Sequence, residues 1–443
     1  MIARDILQQL INWQTKTDRK PLLLFGARQV GKTYILKEFG ARYFSETAYI
    51  SLDEDPGYAD IFRRTKDPHR IIEQLSFACG ISIRPQSTLL ILDEIQECPE
   101  AIASLKYFCE KVPEYAVACA GSLLGLTLGH TGFSFPVGKV EHFDMYPLSF
   151  SEFLRAKDAG LYNYYNSINA IEPIPQLFFD RLSEAFVAYR ICGGMPEAAT
   201  MLINGQIEQI DLVLERILKD YSLDFIKHAT PFLANKIGHV WRSLPSQLAK
   251  ENRKFIYQLV RSGARAREYE DALIWLQNAG LIYQVNLCKN PQMPLKAYDD
   301  LSIFKIYAFD IGILRSLANI SADIYATANN TMKEFKGALA ENYVLQSLVM
   351  QFGKTLKYWS SGNKAEIDFI FQHHNKIIPV EVKADTNVTG KSLVQYEKQY
   401  KPSIRLRYSM LNLRKDGNLL NIPLFLCDKT KELLIMEQDT LSV

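Results

Sequence analysis

The feature that most constrains this chain is a glycine-rich turn that follows a short apolar segment. Residues 22–33 read LLLFGARQVGKT, so four apolar residues precede a G-x-x-x-x-G-K-T pattern. A strand, this turn and a following helix, here YILKEFGARY, together make a phosphate-binding loop. The alternative is an ordinary glycine turn between a strand and a helix. Because both flanking elements are present, the sequence favours the phosphate loop.

The residues of this loop predict nucleotide binding. Its glycines let the backbone turn tightly, so that N–H groups and the helix N-terminus face phosphate oxygens. We expect the Lys32 ammonium to reach the β- and γ-phosphates and the Thr33 hydroxyl to ligate Mg²⁺. The sequence therefore predicts ATP and Mg²⁺ as ligands. The predicted binding residues are Gly26, Ala27, Arg28, Gln29, Val30, Gly31, Lys32 and Thr33.

Short apolar segments alternate with helical patterns through residues 1–147. Near-continuous apolar strands of this kind indicate a parallel sheet that is covered on both faces. We therefore predict a P-loop NTPase core with a parallel sheet. The predicted strands are LLLFG (22–26), TAYISL (47–52), STLLILDEI (87–95), YAVACAGS (115–122) and VEHFDMY (140–146).

Two acidic residues follow the third predicted strand, in the motif LLILDEIQ. Ligands bind at the carboxyl ends of strands in open α/β sheets, so we expect Asp93 to hold Mg²⁺ and Glu94 to polarise the attacking water. A solvated strand end is the alternative. After the fourth strand, Ser122 either senses the γ-phosphate or caps the following segment LLGLTLG.

The composition of the chain argues against several other classes of protein. The 443 residues are 48% hydrophobic, and the formal net charge of +2 requires no nucleic-acid or membrane partner. Seven cysteines without a C-x-x-C pair predict neither a zinc site nor a disulfide framework, and they favour a reducing cytoplasm. The N-terminus lacks an apolar signal-peptide core, and no apolar run predicts a membrane span.

Two further regions precede the C-terminal part. We interpret residues 148–235 as a helical lid, in which Ser149 and Glu152 form a capping pattern. Residues 236–330 are typical of a winged helix, with two helices followed by a hairpin. Basic residues ahead of its second helix either contact nucleic-acid phosphates or form a solvated face on a packing module. They are Arg253, Lys254, Arg261, Arg265 and Arg267.

Residues 331–443 begin with the amphipathic helical segment KGALAENYVLQSLVMQ, and the strands LKYWSS, EIDFIFQ and IIPVEVKA follow. Residues alternate across a strand, so Glu381 and Lys383 share one face of an otherwise apolar strand. Burying such charges without a partner is unfavourable, which predicts a site or an ion-pair cluster here.

The motifs GARQVGKT, LLILDEIQ, AGSLLGL and YPLSFSEFL resemble those of AAA-type ATPases. More narrowly, nearly the whole chain resembles a prokaryotic group that joins such an ATPase to a winged helix and a restriction-endonuclease-like PD-(D/E)xK domain. The resemblance implies a multidomain α/β fold. It also implies that Asp368, Glu381 and Glu341 bind Mg²⁺, and that Lys383 orients or activates the attacking water. An inactive ion-pair cluster is the alternative.

The leading hypothesis is an ATPase whose nucleotide cycle controls a Mg²⁺-dependent nuclease-like domain acting on nucleic acid. The rival is a nucleotide-dependent switch that does not cleave and instead recruits a protein partner. Candidate partners are therefore ATP, nucleic acid, a second copy of the chain or another protein, and no membrane partner is expected.

Overall fold

The computed structural model describes residues 2–122, 135–250, 254–327, 333–362, 365–386, 388 and 390–440. The chain divides into two compact units. The first unit is Ala3–Tyr146 with Asn278–Leu281, and the second is mainly Pro147–Gln277 with Ile282–Val443. Among the described residues, no helix combines the length and the apolar character that crossing a membrane requires.

The first unit contains a five-stranded sheet in the order β2-β3-β4-β1-β5, and every pair of neighbouring strands is parallel. Each of the five predicted strands is confirmed. The strands are β1 Leu22–Phe25, β2 Glu46–Ser51, β3 Thr88–Asp93, β4 Ala116–Ala120 and β5 Glu141–Asp144. The helices are α1 Ile6–Gln14, α2 Lys32–Tyr43, α3 Pro56–Arg64, α4 Pro68–Cys79 and α5 Pro99–Lys111.

The burial of this sheet explains its sequence. Every residue of β3 and β4 is buried, which is the pattern expected for central parallel strands covered on both faces. The register pairs Leu22 of β1 with Ala118 of β4, so β1 lies beside β4 in the interior of the sheet. Parallel strands bring their carboxyl ends to one edge. The phosphate loop, the Asp93–Glu94 pair and Ser122 therefore meet there.

The second unit begins with helices, as predicted for residues 148–235. The capping box at Ser149 and Glu152 is confirmed, and the helix Gln176–Cys192 is followed by Gly193, which has a φ of 68°. The helices of this unit up to residue 327 are α6 Phe150–Lys157, α7 Ala159–Ser167, α8 Gln176–Cys192, α9 Pro196–Ile203, α10 Ile207–His228, α11 Pro231–Leu248, α12 Tyr257–Val260, α13 Ala266–Asn278, α14 Ile311–Leu317 and α15 Ala322–Thr327.

The second unit also contains a mixed eight-stranded sheet in the order β12-β13-β11-β10-β9-β8-β6-β7. Its strands are β6 Ile282–Cys288, β7 Asp299–Ala308, β8 Lys357–Ser360, β9 Glu366–His373, β10 Lys376–Val382, β11 Arg405–Ser409, β12 Arg414–Asp416 and β13 Leu419–Pro423. The helices that belong to this part are α16 Lys333–Phe352, α17 Lys391–Tyr400 and α18 Thr430–Thr440.

This sheet runs across the predicted boundary between residues 330 and 331. The antiparallel pair β6–β7 comes from the segment expected to be a winged helix, and β6 pairs with β8 of the C-terminal segment. The first helix expected in that segment, KFIYQLVRSG, extends only over Tyr257–Val260, whereas the second is present as α13. The division into four domains stays a prediction.

Candidate nucleotide site and C-terminal charge cluster

The phosphate loop depends on backbone conformations that favour glycine. Gly26 has a φ of 151° and Gly31 a φ of 97°. A Cβ atom on Gly26 would lie 2.2 Å from the backbone oxygen of Met145, so no side chain fits there. Ala27 and Val30 are buried, Arg28 is half-buried and Gln29 is exposed.

Lys32 lies at the start of α2 with its side chain folded over the loop. Its Nζ donates hydrogen bonds to the backbone oxygens of Gly26 at 2.9 Å and Ala27 at 2.8 Å. The residue is only 7% exposed. Burial lowers the pKa of the ammonium to about 8, although Glu94 and Asp93 oppose the shift. A desolvated cation at a loop of this shape fits a polyanionic ligand.

Asp93 ends β3 and is buried, with three hydrogen-bond donors around it. Its Oδ2 accepts from Thr33 Oγ1 at 2.7 Å and from the Tyr49 hydroxyl at 3.0 Å. Its Oδ1 accepts from the backbone N–H of Glu94 at 3.0 Å. The structure thus brings together the two residues predicted to hold Mg²⁺, Thr33 and Asp93. Their oxygen atoms are the kind of ligand that Mg²⁺ prefers.

Glu94 is held beside Asp93 in a left-handed backbone conformation, with φ 46° and ψ 43°. Its Oε2 accepts a hydrogen bond from Gln96 Nε2 at 2.6 Å and a longer one from Ser122 Oγ at 3.4 Å. Ser122 therefore contacts Glu94, and its role as a sensor of the γ-phosphate stays a prediction. The segment LLGLTLG that Ser122 was alternatively expected to cap begins at residue 123, outside the described residues.

Several residues of this site were not predicted from the sequence. Gln96 could have been found, because it lies two positions after Glu94. Tyr49 on β2 could not, because its contact with Asp93 depends on strand order. Arg4 donates to the backbone oxygens of Val30 at 2.8 Å and Tyr146 at 2.6 Å and so supports the loop. Gly280 is also distant from the loop in sequence but lies beside it in the structure, since a Cβ atom placed on Gly280 would lie 3.7 Å from the backbone nitrogen of Ala27.

The C-terminal residues Asp368 and Glu381 lie opposite each other on neighbouring strands. The antiparallel register pairs Phe369 of β9 with Val380 of β10, which places Asp368 across from Glu381 on the same face. Asp368 Oδ2 accepts a hydrogen bond from the backbone N–H of Val382 at 2.7 Å. The two carboxylates therefore share one face of the mixed sheet.

Glu381 is 3% exposed and lies between two cations. Its Oε1 is 3.4 Å from Lys383 Nζ, and its Oε2 is 3.3 Å from Arg407 Nε. Burial raises the pKa of the Glu381 carboxyl, and Asp368 acts in the same direction, whereas Lys383 and Arg407 oppose it. Sequence reasoning missed Arg407, because parallel pairing of β10 with β11 brings it opposite Glu381.

Glu341 has a different environment. It is 1% exposed on α16, accepts a hydrogen bond from the Tyr307 hydroxyl, and lies 3.7 Å from Lys305 Nζ. Lys305 is fully buried and also contacts Glu366 Oε1 at 2.6 Å. Within the described ranges, no group of three or more His, Cys, Asp or Glu side chains is arranged to hold a metal. The described structure therefore does not arrange Glu341, Asp368 and Glu381 as a three-carboxylate metal group, and Glu341 lies near Lys305, which it shares with Glu366.

Three of the basic residues near the start of α13 are exposed, as either interpretation of them requires, whereas Lys254 is half-buried. Arg261, Arg265 and Arg267 all lie at the surface, and the backbone N–H of Arg265 donates to Glu268. Arg253 lies outside the described residues. Exposure alone does not separate contact with phosphates from a solvated face.

Comparison with known protein families supports an ATPase-like domain around the phosphate loop. Residues 18–154 match a family model described as an AAA domain. This part of the chain is an AAA-type ATPase-like domain. Residues 183–324 and 336–425 match two domains of unknown function, DUF8612 and DUF4143. The AAA part of the resemblance is confirmed, whereas the restriction-endonuclease part has no such support. No curated protein sequence matches the chain.

Three solved structures show weak similarity to the chain. PCH-2 from C. elegans is 13% identical, with a TM-score of 0.30 over 49% of this chain and 70% of its own. AMPPCP-bound DnaA from Aquifex aeolicus is 16% identical, with a TM-score of 0.26 over 62% and 86%. ORC1 from Aeropyrum pernix, solved with DNA, is 12% identical, with a TM-score of 0.29 over 72% and 93%.

Proposed function

We propose that the chain binds ATP at the phosphate loop and hydrolyses it. The observation that carries this proposal is the Lys32 ammonium, which is buried at the loop and bound by two carbonyl oxygens. An anionic phosphate would give this cation a charged partner. The hydrogen-bonded pair of Thr33 and Asp93 lies at the same edge of the sheet, where a metal bound to the phosphates is needed.

Each residue of this site would have a separate role in ATP hydrolysis. Lys32 and the loop N–H groups bind and orient the phosphates, and Thr33 and Asp93 hold Mg²⁺. When bound, Mg²⁺ neutralises charge that develops on the phosphate oxygens. Glu94 accepts a hydrogen bond from the attacking water, which orients the water and increases its nucleophilicity. Gln96 and Ser122 both donate to Glu94 Oε2, so they keep the carboxylate in one orientation.

The test is a comparison of Glu94→Gln with wild type in the full chain. The variant should bind ATP with wild-type affinity and lose turnover, because only the carboxylate that polarises water is changed. Glu73→Gln, an exposed position on α4, is the matched control and should behave as wild type. ATP hydrolysis by Glu94→Gln at the wild-type rate would show that another residue activates the water.

We propose a second function for the C-terminal unit, which is Mg²⁺-dependent action on nucleic acid under control of the nucleotide cycle. The supporting observation is the placement of Asp368 opposite Glu381, with Lys383 Nζ 3.4 Å from Glu381. Mg²⁺ is commonly bound by one or two carboxylates together with substrate phosphates, so this pair fits it without Glu341. Lys383 would orient the attacking water, and the exposed Arg261, Arg265 and Arg267 near the start of α13 would bind the phosphate backbone.

Cleavage assays on single- and double-stranded DNA and RNA, with and without ATP and Mg²⁺, test this second function. Asp368→Asn should remove cleavage and leave ATP turnover intact, whereas Asp416→Asn on β12 should change neither. Absence of Mg²⁺-dependent cleavage of every substrate would favour the rival function, a nucleotide-dependent switch that recruits a protein partner. ATP-dependent retention of a partner by the Asp368→Asn chain would then support that switch.

A further inference from the structure

Asp93 receives a hydrogen bond that the nucleotide-binding motifs do not include. Its Oδ2 accepts from Thr33 of the phosphate loop at 2.7 Å and also from the hydroxyl of Tyr49 at 3.0 Å. Tyr49 belongs to β2, which is parallel to β3 with Ser51 paired to Asp93. The tyrosine therefore reaches the carboxylate from the neighbouring strand, 44 residues away in sequence.

The Tyr49 side chain is fixed at two points. Its hydroxyl is bound to Asp93, and the Nζ of Lys37 on α2 lies 3.4 Å from the centre of its ring. A tyrosine hydroxyl carries a hydrogen throughout the neutral pH range, so the Tyr49 hydroxyl donates to the Asp93 carboxylate.

We propose that Tyr49 is a positioning residue for the Mg²⁺ ion that ATP turnover requires. This inference rests on the proposed ATPase function. Thr33 has two tasks, because its oxygen is needed by the metal while its hydroxyl hydrogen is directed at Asp93. Tyr49 has one task, which is to hold the Asp93 carboxylate whether or not Thr33 turns toward a metal. Side chains that orient a ligand in this way commonly change metal affinity or activity when they are removed.

The test is Tyr49→Phe in the full chain, which keeps the ring beside Lys37 and removes only the hydroxyl. The free Mg²⁺ concentration that gives half-maximal ATP turnover should rise by roughly 10-fold or more. Nucleotide binding in EDTA should be unchanged, because Lys32 and the loop are intact. Mn²⁺, which usually binds protein oxygen and nitrogen sites more tightly than Mg²⁺, should restore turnover at lower concentration. Tyr115→Phe, a half-buried position in the same unit, is the matched control and should keep the wild-type Mg²⁺ dependence.

The outcomes separate this inference from the ATPase proposal. If wild type hydrolyses ATP and Tyr49→Phe keeps the wild-type Mg²⁺ dependence, the positioning role is wrong and the ATPase proposal stands. A turnover loss that is equal at every metal concentration, with a lower melting temperature, would also overturn it, because that result indicates a structural role. If wild type neither binds nor hydrolyses ATP with Mg²⁺, the ATPase proposal fails and the inference fails with it.

Discussion

The two candidate sites of this chain contain similar side chains in opposite electrostatic states. At the phosphate loop, the buried Lys32 ammonium is bound by backbone oxygens, and burial holds its pKa near 8. In the C-terminal unit, the buried Glu381 carboxylate has a cation on each side, Lys383 and Arg407. One site has a cation that an anionic ligand would complete, and the other has a carboxylate, Glu381, that two cations of the protein already contact.

The difference shows why a charge pattern in a sequence does not by itself require a ligand. Asp368 and Glu381 carry two negative charges, and Lys383 and Arg407 carry two positive charges, so the formal sum is zero. The resemblance to a PD-(D/E)xK domain implies that these carboxylates bind a divalent cation. Arg407 weakens that prediction because it offsets the repulsion that would have drawn the metal.

The largest effect should follow from removing the Lys32 charge at the phosphate loop. Lys32→Ala should lower ATP turnover by roughly 10²- to 10³-fold and also weaken nucleotide binding, because charge on the phosphates loses its stabilising cation. Steady-state hydrolysis and equilibrium binding of a fluorescent ATP analogue measure the two effects. Lys66→Ala, at an exposed lysine of the same unit, should match wild type. Turnover near the wild-type rate in Lys32→Ala would remove Lys32 from the site.

The matching change at the second site is Arg407→Met, which removes one of the two cations beside Glu381. We expect a loss of about 1–3 kcal/mol in the free energy of unfolding, because a buried carboxylate loses a partner. Added Mg²⁺ should then raise the melting temperature of the variant more than that of wild type, because Mg²⁺ can replace the positive charge that Arg407 provided. Arg414→Met, whose exposed partner is Asp416, should change neither quantity measurably. An identical Mg²⁺ response in Arg407→Met and wild type would contradict the compensation argument.

A smaller effect should follow from Gln96→Leu at the first site. The change removes the 2.6 Å hydrogen bond to Glu94 Oε2 and leaves the longer one from Ser122. ATP turnover should fall by about 10-fold with unchanged nucleotide affinity, because the carboxylate loses its closest restraint. Gln74→Leu on α4 controls for the loss of an exposed amide. Weakened ATP binding in Gln96→Leu would instead assign Gln96 a role in the nucleotide pocket itself.

The smallest expected effect is a dependence of ATP binding on pH. In the nucleotide-free protein, burial lowers the pKa of Lys32 to about 8, so at that pH about half of the protein molecules have a neutral Lys32. Bound phosphates favour the ammonium and raise its pKa again, so ATP binding should take up a fraction of a proton near pH 8 and less near pH 7. ATP affinity should accordingly decrease as the pH rises above 8. Calorimetry in two buffers with different ionisation enthalpies measures the uptake, and equal values at both pH values would contradict it.

Most of the elements were predictable because their signals are local. The five strands of the first sheet, the phosphate loop, the capping box of Ser149 and Glu152, and the strands around Asp368 and Glu381 all follow from short patterns. Each pattern reflects a preference of consecutive residues, such as alternation across a strand or a hydroxyl that caps a helix. Consecutive residues remain neighbours whatever the rest of the chain does.

By itself, the sequence determined the residues that can carry chemistry and the elements that present them. Only the tertiary structure decided their partners. Tyr49 is 44 residues from Asp93, Arg407 is 26 from Glu381, and Lys305 is 61 from Glu366. The order and register of the strands determine two of these contacts directly, and the packing of the eight-stranded sheet brings Lys305 to Glu366. A pairing between distant strands leaves no short pattern in the sequence, because many registers place equally suitable residues side by side and only the folded sheet selects one.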